Sequence, residues 1–98
     1  MSETVLQREK PRLVFFYSNK SGSCRRVEAY LAQVLQRRRN HETFQVHHVD
    51  VDERPELAKK LRVEELPALC VIEDGRVQGR LLPRGCKDIK DFLAPWLQ

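Results

Sequence analysis

Three cysteines and three histidines hold most of the nucleophilic and metal-ligating capacity of this 98-residue chain, and their spacing narrows what they can do. Cys24, Cys70 and Cys86 are odd in number and irregularly spaced, with no Cys-x-x-Cys. They outline neither a disulfide framework nor a structural zinc site. His47 and His48 are adjacent, so on a strand they face opposite sides and cannot grip one ion. No metal or cofactor is expected. Cys24 stands in Ser21-Gly22-Ser23-Cys24-Arg25-Arg26, where a helix begins. There the unpaired N–H groups, the helix dipole and two arginines favour a thiolate, which would make Cys24 a single reactive thiol. The competing reading is a small buried hydrophobe. Ser21 has no recognisable base beside it, and serine is a preferred helix N-cap, so a capping role is expected. Cys70 falls inside an apolar run and reads as core.

The elements that would position these residues follow from apolar periodicity. Residues 12–18 are rich in β-branched and aromatic side chains, as a buried central strand requires. Val27, Tyr30, Leu31, Val34 and Leu35 then fall on one face of a helix whose other face is charged. That helix is expected to end in Arg37, Arg38 and Arg39, which would complement its dipole. Arg25 and Arg26 add to the same basic helix. No aromatic stacking platform or nucleic-acid motif accompanies these arginines, so they read as a solvated face and nucleic acid is not an expected partner. Residues 44–51 alternate as a second strand, and Pro55 suits the first turn of a short helix carrying Leu57, Ala58 and Leu61. Residues 68–72 and 77–82 flank Asp74-Gly75 as a β-hairpin. Ile89, Phe92, Leu93, Trp96 and Leu97 repeat the helical spacing to the end of the chain. The order is βαβαββα, an α/β class with the first two strands parallel and helices on both faces of the sheet.

Length and composition bound the rest. A chain of 98 residues supports one core, which gives a polar tail over residues 1–10 and a single domain over 11–98. The 18 basic and 14 acidic residues nearly balance, so the net charge of +4 names no partner. Residues 1–10 hold scattered charges and no apolar run suited to a signal peptide or a membrane span. A cytoplasmic monomer with free thiols is the expectation, with no membrane partner.

From Val14 to Leu97 the sequence resembles the thioredoxin family. The resemblance is most specific in the stretch from Val49 through Asp50-Val51-Asp52 and the Pro55 helix to Leu66-Pro67-Ala68-Leu69, with the Asp74-Gly75 turn and the final helix also in place. It implies a minimal thioredoxin-like three-layer fold with a four-stranded mixed sheet, trimmed of the family's opening strand and helix. It also implies that Ser21 stands where the family carries its attacking cysteine and that Cys24 is the second, resolving cysteine. A serine hydroxyl does not exchange with disulfides, so the site is degenerate. Phe15 replaces the family's buried acid, Lys20 its tryptophan and His48 its buried lysine, which leaves His48 as a candidate proton acceptor under Cys24. Leu66 and Pro67 are implied as the binding site for an extended protein or peptide client, whose backbone would pair beside a cis-proline. Cys86, after Gly85, is implied to lie near the active-site face, within reach of Cys24 as a resolving thiol; a surface accident is the plainer alternative. Two functions follow: a redox-related client-binding module with weak or no disulfide turnover, or a monothiol oxidoreductase using Cys24.

Overall fold

Leu13, Val14, Phe15 and Phe16 are consecutive and apolar, so the strand that carries them needs cover on both faces. In the computed structural model, which describes residues 10–97, that strand is β1 (Arg12–Tyr17), and it lies inside a four-stranded sheet. It is followed by α1 (Gly22–Gln36), a 3-10 segment (Arg37–Glu42), β2 (Gln45–Asp50), α2 (Pro55–Lys60), β3 (Ala68–Glu73), β4 (Arg76–Leu81) and α3 (Cys86–Leu93). The sheet order is β2-β1-β3-β4, with β1 parallel to β2 and antiparallel to β3, and β3 antiparallel to β4. Apart from Lys10, the expected tail lies outside the described residues.

Alternation along the two inner strands divides the core in two. Leu13 and Phe15 of β1, with Leu69 and Val71 of β3, face α1 and α3, where they meet Val27, Leu31, Ile89 and Leu93. Val14 and Phe16, with Ala68 and Cys70, face the other way and are covered by Leu57 and Ala58 of α2 and by Leu61, which caps it. Three layers result, as the apolar pattern requires.

Several local features explain where elements stop. Asp74 and Gly75 both take positive φ, 56° and 76°, the backbone of the two-residue turn that matches hairpin twist. In the β3–β4 ladder Ile72 pairs with Val77 and Val71 with Gly79, leaving Gln78 as the extra residue of a bulge. Gly79 is needed there because a Cβ would sit 2.9 Å from Cε1 of Phe92. At the end of α2, the Val63 N–H donates to the Ala58 carbonyl and the Arg62 N–H to that of Lys59, a Schellman closure in which Arg62 takes φ 58°. Replacing Arg62 with glycine relieves about 1 kcal/mol of left-handed cost and adds roughly 0.5 kcal/mol of unfolded-state entropy. The Arg62→Gly protein should therefore be more stable by about 0.5 kcal/mol in urea titrations; a lower midpoint would contradict this.

Two expectations are corrected. The arginine triplet does not sit in the last turn of α1: the helix ends at Gln36, Arg37 is extended, and Arg38 and Arg39 take φ of 50° and 57°. Buried Asn40, whose amide donates to the Arg37 carbonyl at 2.7 Å, holds the reversal that sends the chain into β2. The final helix likewise stops at Leu93 instead of running to Leu97, because Pro95 has no N–H to continue it. Trp96 and Leu97 still pack on the α1 face, through a turn whose N–H groups both reach the Leu93 carbonyl.

Candidate functional site

The loop from β1 into α1 carries the residues of chemical interest, and it is braced from β2. Ser18, nearly buried, donates from Oγ to Asp52 at 2.7 Å and accepts from the Lys20 N–H at 3.2 Å. Asn19 donates to Asp50 at 3.2 Å, and Asp50 in turn accepts from the Asp52 N–H. These bonds tie the C-terminal ends of the two parallel strands together and fix where α1 starts. Burial, together with the carboxylates of Asp50, Glu28 and Glu53, pushes the Tyr17 hydroxyl above its ordinary ionisation range. The brace was not foreseen from sequence, because Ser18, Asp50 and Asp52 are ordinary polar residues at strand ends until the fold brings them together.

Ser21 occupies the N-cap position of α1 with extended backbone, and its carbonyl accepts the Cys24 N–H at 3.3 Å. Its hydroxyl, however, does not cap. It is paired at 2.9 Å with the hydroxyl of Ser23, which corrects the expected side-chain role: a second serine within reach offers the hydroxyl another partner.

Cys24 is only 3% exposed. Its thiol points into the protein while Arg25 and Arg26 remain exposed. Cys86 is the first residue of α3, not a loop residue, and its Sγ donates to Oε1 of Gln33 at 3.4 Å. Gln33 lies nine residues beyond Cys24 on α1, about 13 Å along the axis and half a turn around it. A disulfide needs Cα atoms within about 7 Å, so this placement does not bring Cys86 to Cys24. All three cysteines are free. His48 is turned to Glu28, with Nε2 at 3.8 Å from the carboxylate, and its ring stands edge-on to Phe15. The ion pair and ring contact it makes are thus with Glu28 and Phe15, and neither involves Cys24. His47 opens on the opposite face of the sheet, beside Val14 and Val49.

Cys70 is fully buried, and burial pushes its thiol up, an effect that nearby Arg80 partly offsets. The thiol is harder to ionise folded than unfolded. Stability is therefore fully present below the unfolded thiol pKa of about 8.5 and declines as pH rises past it. Urea midpoints measured between pH 8 and 10 should fall for the native chain, and fall less for Cys70→Val. Parallel slopes would remove Cys70 as the cause.

Leu66 and Pro67 lie where the start of α1 approaches the β4–α3 loop, and the peptide between them is cis. Leu66 precedes both ladders, in which β3 pairs from Ala68 towards β1 and from Leu69 towards β4. Around it is a groove of about 380 Å³, walled by Val27 and Tyr30 of α1 on one side and Leu82 and Pro83 on the other. Arg26 and Arg84 stand at its rim together with Glu65. Leu82 is 49% exposed, the one large hydrophobic so open among the described residues. Sequence reasoning identified Leu66 and Pro67 but not the opposite wall, because residues 82–84 carry no periodic signal of their own.

The thioredoxin family model matches residues 1–96. The chain belongs to the thioredoxin family. It is 33% identical over 78 residues to a thioredoxin of Mycobacterium tuberculosis, an alignment that covers 80% of this chain and 66% of that protein. It is 32% identical over 78 residues to the bifunctional thioredoxin reductase/thioredoxin of Mycobacterium leprae, of which the match spans 17% and which it meets with 80% of this chain. The chain thus spans a small part of the bifunctional protein and just under two thirds of the M. tuberculosis thioredoxin. Among solved structures, the germline-specific thioredoxin Deadhead of Drosophila melanogaster superposes with a TM-score of 0.80 at 18% identity, covering 98% of this chain and 90% of that one. The architecture is therefore the thioredoxin-like α/β fold with a four-stranded mixed sheet, and the family is redox-related. Among the described residues no group of three or more His, Cys, Asp or Glu could hold a metal ion, and no helix is long and apolar enough to cross a membrane.

Proposed function

We propose that this thioredoxin-family chain binds extended client segments in the groove beside Leu66 and Pro67 and has little or no disulfide reductase activity of its own. The observation that carries this reading is the placement of sulfur. A serine occupies the half-buried lip of α1, Cys24 is 3% exposed, and the nearest partner of Cys86 is Gln33, well along the helix. Two-step exchange needs an accessible thiolate to attack and a second thiol to resolve the mixed disulfide. A monothiol mechanism needs that first thiolate to be open to its substrate, and burial of Cys24 speaks against it. What remains is a recognition surface: a groove of mixed polar and apolar lining beside backbone that lies outside the sheet ladders, suited to main-chain pairing with an extended segment.

The test has two parts. Reduction of insulin by the purified protein, driven by dithiothreitol, should not exceed the uncatalysed rate; robust turnover would defeat the reading. Affinity capture from lysate should be retained by Cys24→Ser and lost by Pro67→Ala. Loss on Cys24→Ser alone would instead implicate sulfur chemistry.

A further inference from the structure

The groove beside Leu66 combines apolar side chains with an unbalanced set of charges. Arg26, on α1, and Arg84, in the β4–α3 loop, approach it from opposite walls and are both exposed. Neither guanidinium has a carboxylate partner among the described residues, where the ion pairs of arginine, lysine and histidine involve other side chains. Asp88, the carboxylate nearest Arg84 in sequence, accepts from the Arg84 backbone N–H at 3.1 Å and not from its side chain. Glu65 is the single carboxylate in the lining, against two guanidinium groups. Lys20 and Arg25, also exposed and without ion pairs among the described residues, add positive charge at the same end of α1. Meanwhile Leu82, half-exposed on the rim, offers an apolar contact.

We infer that the groove selects an extended segment in which an acidic side chain neighbours an apolar one. The apolar side chain packs against Leu66 and Leu82, and the carboxylate lies between Arg26 and Arg84. This rests on the client-binding reading above and adds the chemistry of the client. Guanidinium pairs suit the task because each presents a planar fork of donors to a carboxylate. Attraction at a solvated rim is modest and screened by salt, so the acidic residue should set preference and salt dependence more than total affinity.

The test uses dye-labelled peptides and fluorescence anisotropy with the full chain. One peptide is Gly-Ser-Val-Leu-Glu-Val-Ser-Gly; its counterparts carry Gln or Lys in place of Glu. At low salt the Glu peptide should bind roughly five- to tenfold tighter than the Gln peptide, as two exposed charge pairs allow, and the Lys peptide should be weakest. The preference should shrink as salt is raised, and Arg26→Gln combined with Arg84→Gln should abolish it, so that the Glu and Gln peptides bind the variant alike. Because both arginines are exposed, that variant is expected to fold, which its circular dichroism would check. Equal binding of Glu and Gln peptides would overturn the acidic preference and leave the groove reading intact. No binding of any peptide would overturn both. A preference that survives in the double variant would place the selecting charge elsewhere and overturn the assignment to Arg26 and Arg84.

Discussion

Ser21→Cys should convert the chain into one that closes an intramolecular disulfide with Cys24 and accelerates insulin reduction by dithiothreitol at least about tenfold over the native chain. The geometry favours closure. The Ser21 carbonyl accepts the Cys24 N–H at 3.3 Å, so the two residues stand at opposite corners of one turn. Turn residues so related have Cα atoms under about 7 Å apart, inside the range a disulfide spans. The electrostatics also favour the attacking role at position 21. The helix that follows has 15 residues and no acidic residue in its first turn, so its N-terminal partial charge is unopposed and would lower a thiol's pKa there. Cys24, buried one turn further in, is then placed to resolve. The check is a thiol titration after mild oxidation together with the turnover assay, using Ser21→Cys/Cys24→Ser as the control that should trap mixed disulfides without cycling. If the single variant neither loses its titratable thiols nor turns over insulin, the absence of sulfur at position 21 is not what limits the chain.

Removing the Phe15 ring should have the largest effect on stability, a loss of about 3–5 kcal/mol for Phe15→Ala. The ring is 1% exposed, stacks on Tyr17 with centroids 5.7 Å apart, and receives His48 edge-on. It is built into the face of the sheet that meets α1 and α3, where nothing short of helix movement could refill its volume. A domain of this size is stable by roughly 5–15 kcal/mol in total, so the variant should unfold at a much lower urea midpoint or be partly unfolded without denaturant. Phe15→Leu, which keeps most of the volume, should lose less than half as much. A loss below about 1 kcal/mol for the alanine variant would mean that the core collapses around the gap, contrary to the packing described.

The secondary structure was legible because it is written in short-range patterns. An unbroken apolar run requires a doubly covered strand, apolar residues spaced three and four apart require a helix with one buried face, and Asp74-Gly75 supplies the positive φ values of a tight hairpin. Residue identity alone also fixes one chemical fact, that position 21 has no thiol. What sequence could not decide were competitions between near-equal local choices. The Ser21 hydroxyl pairs with Ser23 and not with a backbone N–H, Arg38 and Arg39 leave the helix because Asn40 anchors the reversal, and Pro95 ends α3 although the apolar spacing continues past it. Nor could it say which distant residues meet. The burial of Cys24, the pairing of Cys86 with Gln33, and the wall of Leu82, Pro83 and Arg84 opposite Leu66 depend on how helices lie on the sheet. Periodicity tells a helix which face to bury; only packing sets which neighbours that face and its edges will touch.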